Sequence, residues 1–80
     1  MPLRRTPLPE WAIARRRTLG QRLATARRNA GLSQEQLGDL VGVERRTIQR
    51  YEGGSRDPRF TDLLLIADAI GVPLSDLVRA

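Results

Sequence analysis

Residues 33–52 run SQEQLGDLVGVERRTIQRYE, and two short helices are legible in them. Ser33-Gln34-Glu35-Gln36 fits a capping box, in which a Ser hydroxyl and a Gln amide three residues later satisfy each other's backbone N–H groups. Leu37, Leu40 and Val41 follow at helical spacing, and Gly42 stands where a terminator belongs. A second helix is predicted over about 44–52, with Ile48 and Tyr51 on its inward face.

Only Gly42-Val43-Glu44 separates the two helices. So short a turn, closed by Gly, forces a sharp crossing instead of an antiparallel hairpin, which is the helix-turn-helix geometry. Gly38 then has a purpose. A Gly inside a helix costs about 1 kcal/mol relative to Ala, but four residues before the turn it allows the helices to approach closely.

Working outward, the preceding helix has two possible starts. Leu19, Leu23, Ala26 and Ala30 recur at helical spacing, and Thr18-Leu19-Gly20-Gln21 fits a capping box, giving a helix over 18–29 with Thr18 as N-cap. A longer helix starting near Pro9-Glu10 competes, and it would place Trp11 on roughly the face of Leu19. Gly31 is the expected C-cap in either case. After a loop at 53–58, a fourth helix is expected over 60–70, with Phe60, Leu63, Leu64, Ala67 and Ile70 as its apolar stripe. A short fifth, over 74–79, offers Leu74, Leu77 and Val78. Such short connections predict a compact all-α domain of five helices. Pro2, Pro7 and Pro9 mark residues 1–9 as an extended arm, so the chain divides into a basic N-terminal extension, 1–17, and a domain, 18–80.

Composition narrows the function. The 80 residues allow one small domain. They contain no Cys, no His and no Lys, and all 14 cations are Arg. The usual neutral-pH base, the thiol and amine nucleophiles and most zinc ligands are therefore missing together, which argues against an enzyme, a metal site and a cofactor. Net charge is +5, favouring an anionic partner. The excess is uneven: residues 1–17 hold five arginines against Glu10, whereas 18–80 hold nine against eight acids. No secretory signal or spanning segment is visible, so a soluble, cytoplasmic, nucleoid-associated protein is expected, and Met1 suggests a natural start.

At these residues the chain resembles the Cro and lambda-repressor-like helix-turn-helix domains, the XRE family. The resemblance is carried by Leu32-Ser33-Gln34-Glu35-Gln36-Leu37, Gly42-Val43, Thr47-Ile48-Gln49-Arg50-Tyr51-Glu52, Pro58 and the run Ile66 to Val72. It covers about residues 18–79 and implies a five-helix bundle that binds double-stranded DNA sequence-specifically, often as a repressor of transcription.

Arg45, Arg46, Gln49 and Arg50 point outward from the third helix. Arg can hold guanine O6 and N7 with two parallel donors, and Gln can do the same to adenine. By resemblance Arg45, Arg46 and Arg50 match base-reading positions, with Gln49 a lesser candidate; the alternative is a solvated charged face. Ser33 and Gln34 open a helix whose free N–H groups attract phosphate, and Gln34 matches a phosphate-contacting position of the family. Ser55 and Arg56 are expected to clamp the DNA backbone from the other side, with Thr47 and Arg59 weaker candidates. Arg27 and Glu52 match a family ion pair tying the first helix to the third. Glu44 departs from the Ser, Thr or Asp usual at its position, and its carboxylate would sit near phosphates.

Arg4, Arg5, Arg15, Arg16 and Arg17 are candidate arm contacts, to a groove or to phosphates; the alternative is a disordered arm that aids solubility. Trp11 is expected to anchor on the domain or on a second subunit. One such domain reads few base pairs, so a homodimer on a two-fold site is expected, with Leu64, Leu65, Leu74 and Leu77 as a patch for self-association. Two further readings stay open. One is an antitoxin-type autorepressor with a protein partner. The other is a protein-interaction module that keeps the fold without binding DNA.

Overall fold

Pro9 sets the start of the first helix. The computed structural model describes residues 6–80, and five helices follow one another in it: α1 (Glu10–Asn29), α2 (Gln34–Val41), α3 (Arg45–Glu52), α4 (Phe60–Ile70) and α5 (Leu74–Val78). No strand occurs among the described residues. The longer of the two possible first helices is the one formed. Thr18 is not an N-cap; it lies inside α1 and its hydroxyl donates to the Ala14 carbonyl at 3.1 Å. A local cap is worth about 1 kcal/mol, and the extra turns of helix outweigh it because side chains from them bond to distant parts of the chain. Arg4 and Arg5 lie outside the described residues.

The capping box at Ser33 is formed in full. The Gln36 N–H donates to Ser33 Oγ at 3.0 Å, and the Ser33 N–H donates to Gln36 Oε1 at 2.8 Å. Glu44, by contrast, supplies no side-chain cap to α3. The α2–α3 crossing is as tight as the spacing predicts. A Cβ on Gly38 would stand 2.5 Å from the Val43 carbonyl oxygen.

Leu23, Leu37, Ile48, Tyr51, Ile66 and Ile70 form the core, drawn from α1 to α4, and Leu77 of α5 is equally buried. Each such side chain contributes about 1.5–3 kcal/mol. The inward face of α4 is Leu63, Ile66, Ala67 and Ile70; Phe60 and Leu64 are exposed, so the stripe is rotated from the one expected. Leu77 likewise leaves the expected self-association patch, because α5 turns it into the core. Leu64 and Leu65 remain exposed and Leu74 is half-buried. Trp11 is 71% exposed. It lines a cleft with Leu8, Ala12, Leu19 and Val78. None of the helices among the described residues is long and apolar enough to cross a membrane.

Candidate nucleic-acid interface

The outward side of α3 carries Arg45, Arg46, Gln49 and Arg50, all exposed, while Ile48 and Tyr51 are buried on the opposite side. Among the described residues, none of the four outward side chains is engaged in an ion pair or hydrogen bond, so their donors are free. Thr47 is half-buried at the edge of the same helix. α3 is eight residues long, which corresponds to about 12 Å.

One carboxylate holds α3 to its neighbours. Arg27 Nε donates to Glu52 Oε2 at 2.6 Å and a terminal nitrogen donates to Oε1 at 3.0 Å, a bidentate pair. Its third nitrogen donates to the Leu32 carbonyl at 2.8 Å. The hydrogen bond to Glu52, opposed by burial and helped by its charge, holds the Arg27 guanidinium above its ordinary pKa. Gln34 Nε2 donates to the same Glu52 at 3.0 Å. The first residue of α2 is thus tied to the last residue of α3, and Ser33 caps beside it.

Past Glu52 the chain turns through a Schellman motif. Gly54, with φ of +74°, donates its N–H to the Tyr51 carbonyl, and the Ser55 N–H donates to the Arg50 carbonyl. Ser55 Oγ also donates to the Arg50 carbonyl at 3.3 Å. Arg56 is exposed immediately beyond. Ser33 and Gln34 thus open the element before α3, and Ser55 and Arg56 the loop after it, with Gln34 and Ser55 both bonded to the last turn of α3.

The arginine triplet of the extension is divided by the fold. Arg15 donates to the Val78 carbonyl at 3.1 Å. Arg16 Nε donates to the Gly54 carbonyl at 2.7 Å. Arg17 is exposed, with its stem packed over Gly54. Arg22, which no sequence pattern marks, donates to the Leu77 and Arg79 carbonyls and so satisfies the open end of α5. Nothing local in the sequence signals these acceptors, because they lie 38 to 63 residues away.

Tyr51 and Asp62 form a second buried polar contact that the sequence does not reveal. The Tyr51 hydroxyl donates to Asp62 Oδ2 at 3.2 Å, and Arg59 Nε donates to the same oxygen at 3.3 Å. The inward Tyr is the one available signal, since a buried phenol needs a partner. Burial first, then the Asp62 charge and hydrogen bond, push the Tyr51 hydroxyl above its usual pKa, while Arg56 and Arg59 act weakly the other way. The chain has one Tyr, no Lys and no Cys, so Tyr51 is the side chain that ordinarily titrates near pH 10. The folded state keeps this proton to higher pH than the unfolded chain. Its stabilisation is complete below about pH 10 and is lost as pH rises towards the folded pKa. Urea midpoints are expected to fall above that pH. Tyr51→Phe should remove this fall and cost about 1–3 kcal/mol at neutral pH, because Asp62 loses a donor. An unchanged alkaline profile in the variant would show that another group titrates there.

Known proteins share this geometry. The family model described as a helix-turn-helix domain matches residues 18–80. An uncharacterized HTH-type transcriptional regulator of Haemophilus influenzae is 40% identical over 53 residues, covering 66% of this chain and 54% of its own length. The cryptic phage CTXphi transcriptional repressor RstR of Vibrio cholerae is 32% identical over 57 residues, covering 71% and 51%. The chain thus spans about half the length of the curated relatives it matches. Among solved structures, the restriction-modification controller protein C.AhdI from Aeromonas hydrophila superposes with a TM-score of 0.77 at 34% identity, covering 80% of this chain and 97% of that one. The hypothetical transcription factor NHTF from Neisseria gives 0.75 at 25% identity, covering 96% and 86%. With its all-helical fold, its capped α2 and its exposed α3, the chain belongs to the helix-turn-helix domain family that its sequence resembles.

Proposed function

We propose that this chain is a sequence-specific double-stranded DNA-binding regulator of transcription, acting in the cytoplasm as a repressor that occupies promoter DNA. One observation carries the proposal: α3 presents Arg45, Arg46, Gln49 and Arg50 outward, in no ion pair among the described residues, while its other side is buried. A helix so divided fits the major groove, where Arg can bind guanine and Gln can bind adenine with paired hydrogen bonds. Ser33, Gln34, Thr47, Ser55 and Arg56 would contact phosphates on either side and fix the register. Relatives named as transcriptional regulators and as a repressor support this assignment.

Two copies would read a two-fold site with half-sites about 34 Å apart. Selection from a randomised duplex library is the test. An inverted repeat should be enriched, and Arg45→Ala and Arg46→Ala should each relax selection at particular bases and cost about 1–3 kcal/mol of binding. A library from which no site is enriched would overturn sequence-specific regulation.

A further inference from the structure

Three features meet at Gly54. Its carbonyl accepts from Arg16 Nε at 2.7 Å. Its backbone is left-handed, and a Cβ there would stand 2.9 Å from Arg17 Cγ. Its neighbours Ser55 and Arg56 form the loop assigned above to the DNA backbone. Arg16 and Arg17 belong to the N-terminal half of α1, before the region matched by the family model.

We propose that Arg16 is a positioning residue for the phosphate-binding loop, and that Arg17 adds a phosphate contact beside it. The inference rests on the DNA-binding proposal and extends it to the segment before residue 18. Arg16 is half-buried and already donates to a carbonyl, so it acts through the loop. A charge-assisted bond of this kind is stronger than a neutral one. It pins a turn that is otherwise held by the Schellman bonds of Gly54 and Ser55 and by the Ser55 hydroxyl. Arg17 is exposed on one side of that pinned turn, and Arg56 is exposed two residues after Gly54. Arg17, packed over Gly54, and Arg56, next to Ser55 in the chain, would together make a clamp for an anionic backbone.

The test uses the full chain and a fluorescein-labelled duplex carrying the selected site. Arg16→Ala should weaken binding about tenfold, the usual scale for losing a bond to a charged group. In an Arg56→Ala background the same change should cost less than about threefold, since residues acting through one loop are not additive. Arg17→Ala should lower the slope of log affinity against log salt by about 0.9, the signature of one phosphate. Amide exchange without DNA supplies an independent measure. In Arg16→Ala the Ser55 N–H should exchange faster while Leu23 and Ile48 stay protected.

Equal losses from Arg16→Ala in both backgrounds would make Arg16 a direct contact and overturn its positioning role. Exchange that quickens uniformly through α1 and α3 would reduce it to a general stabilising bond and overturn that role too. An unchanged salt slope in Arg17→Ala would remove Arg17 from the interface. If the wild-type chain binds no duplex at all, the DNA-binding proposal itself fails.

Discussion

Glu52→Ala should remove most of the domain's stability. The change leaves Arg27 buried with only the Leu32 carbonyl as acceptor, and it takes the partner from Gln34 as well. Both side chains of the pair are less than 10% exposed, at 9% and 7%. Breaking a buried pair by removing one partner costs about 3–5 kcal/mol, because the other charge stays desolvated. A small domain has a total stability near the low end of about 5–15 kcal/mol, so little would remain. Urea denaturation followed by circular dichroism gives the answer as a fall in midpoint at constant slope. Replacing both partners together, as Arg27→Met with Glu52→Leu, should cost less than Glu52→Ala, since no lone charge remains. A loss below about 1 kcal/mol for Glu52→Ala would mean the pair behaves as an exposed one.

The second large effect is steric. A Cβ at Gly20 would stand 2.5 Å from the carbonyl oxygens of both Tyr51 and Glu52. These are backbone atoms and cannot rotate aside. Gly20→Val should therefore force α1 away from the end of α3, at a cost of about 3 kcal/mol, set against a few tenths gained from helix propensity. The displacement would stretch the Arg27–Glu52 and Arg16–Gly54 bonds that flank Gly20 along α1. Affinity for the selected duplex should fall with stability. A variant with the wild-type midpoint would show that α1 can slide along α3 without loss.

Much of the fold is legible in the sequence for definable reasons. The capping box at Ser33, the turn at Gly42 and the small residue at Gly38 are local signals, and each occupies its expected place. Arg27 and Glu52 follow a family pattern and stand in contact. The differences are long-range. Thr18 looks like a cap because four residues fit a motif, but α1 continues upstream, where Arg15 and Arg16 find carbonyl acceptors far along the chain. The stripe on α4 is ambiguous because Leu63, Leu64, Leu65 and Ile66 are all apolar, so periodicity alone cannot choose a face. Leu77 sits in a helix of five residues, too short to define one. Arg22 and Asp62 carry no signature, since a surface-type residue becomes an internal contact only when the fold brings its partner near.

The division of α3 into two sides has an evolutionary meaning. Arg45, Arg46, Gln49 and Arg50 are exposed, and substitutions at exposed positions of that kind alter stability by about 0.5 kcal/mol or less. On the DNA-binding proposal, such a scaffold would acquire a new target sequence one side chain at a time without passing through unfolded intermediates. Gln34 is different, because its amide is bonded to the carboxylate that anchors α3. On that proposal innovation would be easy along the helix and constrained at its flank, and a lineage of such proteins would diversify at the first four positions while holding the fifth.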